Sequence, residues 1–200
     1  MAPRRVDAEA RRTEILAAAV RTFARKGYAA TRIEDVAAEA GIGKGSVYLY
    51  FDSRESLLHS AFQAMTTASQ GVLDAAREGA GTPLERLAGL IRDVLGMIAS
   101  DPDLSVVLLD FWAAGRLGDA PQPIDMAQLY VDYRAVIVAL LREAATEGTV
   151  REDVGEQEAM VLVGAIEGCM LQWVMDPRIS LPGLAEPIVA VCIDGLRKEK

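Results

Sequence analysis

Four side chains able to meet a nucleic acid fall within the segment 44–50: Lys44, Ser46, Tyr48 and Tyr50. An ammonium attracts phosphate. Hydroxyls donate to backbone oxygens, and tyrosine rings pack against thymine methyls. Gly43 and Gly45 keep the start of this segment small, so free backbone N–H groups of a helical first turn could approach an anion. Val47 and Phe51 are four residues apart and can face inward, which leaves the polar side chains outward or to the sides.

Such a segment needs a second element to hold it. Thr31 and Glu34 have the spacing of a capping box, so a helix should begin just after Thr31. Ile33, Val36, Ala37 and Ala40 then make one apolar face. Gly41 suits a left-handed C-terminal stop, and Ile42 is the apolar plug of a tight turn. A second helix follows from Gly43 or Lys44 to Phe51. The pair reads as a helix-turn-helix whose second helix enters a major groove N-terminus first. Its expected DNA contacts are Thr31, Arg32, Gly43, Lys44, Gly45, Ser46, Tyr48, Tyr50 and Arg54. Arg54 stands in the first turn of the next helix, where a cation opposes the helix dipole, so a phosphate contact explains it. A plain helical hairpin inside a bundle would share the same apolar pattern.

The rest of the chain reads as all-α. Residues 1–10 look like a disordered basic arm carrying Arg4 and Arg5, either reaching into a minor groove or merely solvated. A first helix over 11–27 aligns Ile15, Ala19 and Phe23 and stops at Gly27, with Arg21, Arg25 and Lys26 in its last turns. Asp52 and Glu55 suggest a capping box for a fourth helix running to about Gly79. Further helices are expected from Pro83 through Ile98, from Leu104 to about Ala114, from Ile124 to Glu147 and from Gly155 to Met175. A last one should run from about Glu186 to Arg197. Gly115 to Pro123 reads as a loop, and Asp153 with Glu156 as a third capping box. The helix 155–175 is apolar nearly all round and needs cover on most sides. Its Gly164 and Gly168 permit close backbone approach, within the core or across a two-fold interface.

Composition narrows the function classes. Of 200 residues, 51 % are hydrophobic and 25 % charged, which supports a sizeable core and argues against disorder. The net charge of −8 speaks against a non-specific architectural DNA binder. Residues 1–60 hold ten Lys/Arg against eight Asp/Glu, whereas the remainder holds eleven against twenty-one. A near-neutral head thus precedes an acidic body. Cys169 and Cys192 have no C-x-x-C partner and read as buried free thiols in a reducing cytoplasm. His59 is the single histidine, so neither a His-based metal site nor a His-dependent hydrolase is expected. No cofactor, metal, catalytic constellation, signal peptide or membrane span is expected; the apolar run 159–175 is interrupted by Glu167 and Gln172. GIGKGS is not a phosphate-binding loop, because it lacks the G-x-x-x-x-G-K-[ST] spacing and follows a helix.

The run GIGKGSVYLYFDSRESLL resembles the signature of the TetR (tetracycline repressor) family of bacterial transcription regulators. That signature is a Gly-turn, a recognition helix ending L-Y-x-[HY]-F, then S-[KR]-E-x-L. It is met here by Gly41, by Val47 to Phe51 and by Ser53 to Leu57. The preceding RRTEILAAAVRTFARKGYAATRIEDVAAEAG also fits the family's first two helices, so the likeness covers residues 11–62. Val47 replaces the usual Leu. Gly43 stands where Ser or Thr is common, which weakens the helix start by roughly a few tenths of a kcal/mol.

The resemblance implies a three-helix DNA-binding domain over residues 1–55 and a helical domain over 56–200 that binds a small-molecule effector and forms a homodimer. Such a dimer would read a palindromic operator in double-stranded DNA, most simply as a repressor. The effector would tilt the fourth helix and so change the distance between the two heads. Expected effector residues are Phe111, Trp112, Tyr130, Tyr133, Arg134, Met170 and Trp173, which combine aromatic area with a few polar handles. The dimer interface is expected at Gly164, Gly168, Ile188, Val191 and Cys192. The alternative is a small-molecule-binding or enzymatic helical bundle with an idle helix-turn-helix.

Overall fold

The computed structural model describes residues 3–115 and 124–197, with the side chains of 8–112 and 124–197. The described chain is helical apart from turns and one bridge between Val150 and Arg197. In order come α1 (Pro3–Lys26), α2 (Ile33–Glu39), α3 (Lys44–Tyr48), α4 (Arg54–Glu78) and α5 (Pro83–Ser100). Then follow α6 (Pro102–Gly115), α7 (Met126–Thr146), α8 (Glu156–Met175) and α9 (Ala185–Cys192). Short 3-10 turns at Pro182–Leu184 and Asp194–Leu196 flank α9. The chain folds as two compact units, Met1–Thr66 with Asp101–Ile124, and Thr67–Ser100 with Asp125–Lys200.

The first unit packs α1 against α2 and α6, and α2 against α3. Ile15, Ala19 and Phe23 of α1 meet Ile33, Val36 and Ala37 of α2, Val47 of α3, and Leu57, Leu58 and Phe62 of α4 in one core. Phe111 of α6 completes it, edge-on to Tyr28 at 5.1 Å and to Phe62 at 5.8 Å between ring centroids. In the second unit α5 packs on α7, α8 and α9, and α8 packs on α7 and α9. Its core holds the stripe Leu84, Leu87, Ile91, Val94 and Leu95 of α5, with Ile137, Leu140 and Ala144 of α7 and Leu162 and Ile166 of α8. These are the apolar periodicities of the sequence converted into burial.

Several boundaries differ from the sequence expectation. α1 begins at Pro3, so residues 3–10 are helical and not a disordered arm; the Arg4 and Arg5 side chains lie outside the described ones. Gly115 closes α6, and the remainder of the expected 115–123 loop lies outside the described residues. None of the three expected capping boxes forms as expected. At α2 the Arg32 N–H donates to Asp35 Oδ2 at 2.9 Å. Before α4, Ser53 and Ser56 exchange bonds, each backbone N–H donating to the other's Oγ. At α8 the Gly155 N–H donates to Glu158 Oε2 at 2.8 Å. A box absent from the sequence reading, Thr82 with Glu85, starts α5. The last helix is not continuous to Arg197. It ends at Cys192, because the chain turns so that Leu196 can accept the Arg151 N–H at 3.0 Å.

Candidate nucleic-acid interface

The turn between α2 and α3 is a Schellman stop. Gly41 takes φ +67°, the Ile42 N–H donates to Ala37 O at 3.0 Å, and the Gly41 N–H donates to Ala38 O at 3.2 Å. Gly43 then caps α3 in extended conformation. Val47 and Phe51 are buried, which fixes the rotation of α3. Gly43, Lys44, Gly45 and Tyr48 therefore face solvent, with Ser46 and Tyr50 partly exposed. Leu49, not among the expected contacts, is 81 % exposed on the same short helix end. The Lys44 Nζ donates to Glu34 Oε1 at 2.5 Å and lies 5.8 Å from the Tyr48 ring centroid. That hydrogen bond lowers the Glu34 carboxyl below its ordinary range and raises the Lys44 ammonium above its own.

Other cations of this face are already paired. Lys26 reaches Asp35 at 2.6 Å, and Arg21 and Arg25 reach the two oxygens of Glu39 at 2.9 and 3.0 Å. These hydrogen bonds hold both carboxyls below the usual range. These three pairs tie the last turns of α1 to α2. Among the described cationic side chains of the first unit, Arg32 makes no hydrogen bond or ion pair, and it is exposed.

Two expected DNA contacts have other work. Thr31 is buried, and its Oγ1 donates to Gly27 O at 2.8 Å. Arg54 turns inward: its Nη1 donates to the carbonyls of Tyr28, Ala29 and Thr31 at 3.0, 3.0 and 3.1 Å. Its guanidinium also lies 4.2 Å from the Tyr28 ring centroid. Arg54 thus clamps the α1–α2 loop, which removes the argument that a cation at that helix start must serve phosphate.

The expected effector residues divide between the units. Phe111 fills the core of the first unit, and Trp112 is 44 % exposed at the end of the described stretch. Tyr130, Tyr133, Arg134, Met170 and Trp173 belong to the second unit, on α7 and α8. The Tyr130 hydroxyl donates to Glu167, and the Tyr133 hydroxyl pairs with Ser69 Oγ at 2.8 Å. Burial, then the Glu167 hydrogen bond and charge, push the Tyr130 phenol well above its ordinary value. Burial likewise raises Tyr133. Met170 is buried, Trp173 packs on the core, and Arg134 is half-buried with no hydrogen bond or ion pair among the described residues. Glu167 and Ser69 were not singled out from the sequence. A carboxylate interrupting an apolar helix was the available signal for Glu167. A separate cleft of about 370 Å³, lined by residues including Leu84, Arg92, Val189, Ile193 and Arg197, holds none of the seven expected residues.

On the outer face of α8, Met160, Val161, Gly164, Leu171 and Met175 are exposed, and Gly168 is partly so. A Cβ at Gly164 or Gly168 would meet no atom of this chain within 4 Å. Val191 of α9 is 78 % exposed. Ile188, expected at an interface, is instead buried in the chain's own core, and Cys192 packs partly against that core. Burial and the neighbouring Cys169 raise the Cys192 thiol above its usual range.

A helix-turn-helix whose second helix faces solvent, carried on one of two helical units, places the chain in the helix-turn-helix class of folds. A family model described as "Bacterial regulatory proteins, tetR family" matches residues 15–61, and one described as "BetI-type transcriptional repressor, C-terminal" matches residues 83–198. The HTH-type transcriptional repressor KstR2 of Mycolicibacterium smegmatis is 32 % identical over 143 residues, 72 % of this chain and 69 % of that protein. The fatty acid metabolism regulator protein of Bacillus subtilis is 26 % identical over 189 residues, 93 % of this chain and 95 % of that protein. Two solved structures share the fold. The fatty acid degradation regulator FadR from Bacillus halodurans matches with TM-score 0.73 and 24 % identity, over 94 % of this chain and 97 % of that one. A TetR transcription regulator from Haloarcula marismortui matches with TM-score 0.73 and 22 % identity, over 95 % of this chain and 100 % of that one. The chain belongs to the tetR family of bacterial regulatory proteins. It is a transcriptional repressor of that family.

Proposed function

We propose that the chain acts as a homodimer on a palindromic operator, with residues 1–55 making the DNA contacts and 56–200 carrying effector binding and dimerisation. The observation that carries the DNA reading is the solvent-facing side of α3. Gly43, Lys44, Gly45 and Tyr48 are exposed there, and Ser46 and Tyr50 are partly so. Together with the exposed Arg32 they offer charge, hydroxyls and close backbone approach to one groove. Thr31 and Arg54 are left out, since the Thr31 hydroxyl and the Arg54 Nη1 donate to carbonyls inside the head.

The apolar outer face of α8 supports the dimer. Only 22 % of its most apolar window is buried within the chain, so the rest of that surface calls for cover from outside it. A second copy meeting Met160, Val161, Gly164, Gly168, Leu171, Met175 and Val191 would remove that surface from water. Two heads about 34–36 Å apart would then fit successive major grooves.

The effector is an amphipathic small molecule. Met170 and Trp173 supply apolar area, while the Tyr130–Glu167 and Tyr133–Ser69 pairs and the free Arg134 supply polar contacts. A relative that regulates fatty acid metabolism is in keeping with such a ligand. Binding would lower operator affinity by the ligand's differential affinity for the two states, about 5–150-fold for a typical coupling.

The test is fluorescence anisotropy on the intergenic DNA beside the chain's own gene, against random DNA of equal length. Selective binding with two subunits per site, released by an acyl-chain ligand, is the expected result. Equal binding to both DNAs would overturn the operator reading.

A further inference from the structure

The recognition helix carries its one cation already engaged. Lys44 is bound to Glu34, a residue of the first turn of α2, at 2.5 Å, and both side chains are about half exposed. The same ammonium lies near the Tyr48 ring. A lone lysine on a DNA-facing helix would be drawn to the nearest phosphate, because it is a point charge on a flexible stem. Here a carboxylate beside it repels phosphate and fixes the ammonium at the start of α3, the end from which recognition helices reach base edges.

An ammonium has three donors. One is taken by Glu34, and two remain for neighbouring acceptors such as guanine O6 and N7. We propose that Glu34 is a positioning residue that sets specificity: through Lys44, it directs the head's central cation to a guanine edge and away from sequence-blind phosphate binding. This inference rests on the operator reading above and adds to it a residue that touches no base. The neighbouring carboxylates do not compete for the role, since Asp35 is held by Lys26 and Glu39 by Arg21 and Arg25.

The experiment uses the full chain and a duplex enriched by it from a randomised library. Failure to enrich any sequence would count against the operator reading itself, before Glu34 is examined. Given an enriched duplex, wild type, Glu34→Gln, Glu34→Asp, Lys44→Ala and the double variant Glu34→Gln with Lys44→Ala are titrated against it and against random DNA at several salt concentrations. Thermal melts confirm that each variant is folded. Glu34→Gln should bind random DNA more tightly, with the salt slope on random DNA steepened by about 0.9 as one more counterion is released. Its preference for the selected duplex should fall about tenfold, the worth of one good base contact, chiefly at G·C positions of the selected site. Glu34→Asp, which keeps the charge, should stay nearer to wild type. In the Lys44→Ala background the Glu34→Gln change should have little further effect on that preference. An unchanged preference and slope in Glu34→Gln would overturn the proposal. So would an undiminished loss of preference when Lys44 is already absent.

Discussion

Arg54, expected at a phosphate, is also engaged inside its own head. Three carbonyls of the α1–α2 loop share its Nη1, so Arg54→Ala should cost about 1.5–3 kcal/mol of stability, as for hydrogen bonds from a charged donor. A lowered melting midpoint by circular dichroism checks this; a phosphate-binding Arg54 would leave the midpoint unchanged and lose only DNA affinity. Lys44→Ala has the opposite profile, with melting little altered and about 1–3 kcal/mol of discrimination between operator and random DNA lost. The residue types of the head were legible because glycine, lysine and tyrosine stand at helical spacing around two inward apolar residues. The jobs of Thr31 and Arg54 were not, since the acceptors for Arg54 lie 23 to 26 residues away and Thr31 bonds back to Gly27.

The carboxylates that tie α2 to α1 and α3 also give the head a pH dependence. Glu34, Asp35 and Glu39 all titrate below their ordinary values of 4.5, 3.8 and 4.5 when folded. Their stabilisation is therefore fully present above those ordinary values. It is lost as acid carries the pH down through the folded ones. The melting midpoint should fall as the pH drops below about 5, with a smaller fall in Asp35→Asn and in high salt.

At the scale of elements, helix ends were read well where glycine stops them and poorly where polar residues start them. Gly27, Gly41 and Gly148 all take positive φ, as their places after α1, α2 and α7 demanded. Gly41→Ala should cost about 1–2 kcal/mol in urea unfolding. No atom lies within 4 Å of the added Cβ, so the whole loss would be conformational. At the starts, the chain offers rival caps a residue or two apart. T-R-I-E-D contains Thr31 with Glu34 and also Arg32 with Asp35; F-D-S-R-E-S contains Asp52 with Glu55 and also Ser53 with Ser56. Tertiary demand decides between them. The Thr31 hydroxyl is taken by Gly27, Glu34 by Lys44 and Glu55 by the Tyr28 hydroxyl at 3.1 Å. The end of α9 was hidden for a related reason, as its stop answers to Arg151 on another segment. Periodicity carries the period of an element; long-range partners choose its ends.

For the whole molecule, the exposed apolar stripe of α8 is the feature that most governs behaviour. Val161→Glu or Val191→Arg should turn a dimer into a monomer in analytical ultracentrifugation with little change in helix content, since both side chains point away from the chain's own core (65 % and 78 % exposed). Ile188→Glu should instead unfold the second unit, because Ile188 is core. The all-α plan was legible in composition and spacing, whereas the outward turn of α8 was not: a helix apolar on every side carries no mark of which side its own chain leaves bare. That bare stripe also has a consequence for dosage. While copies are scarce, pairs form in proportion to the square of the chain's concentration. If only pairs hold an operator, a twofold change in synthesis alters occupancy nearly fourfold at the dilute limit, and the gene under control sees a threshold in place of a graded response.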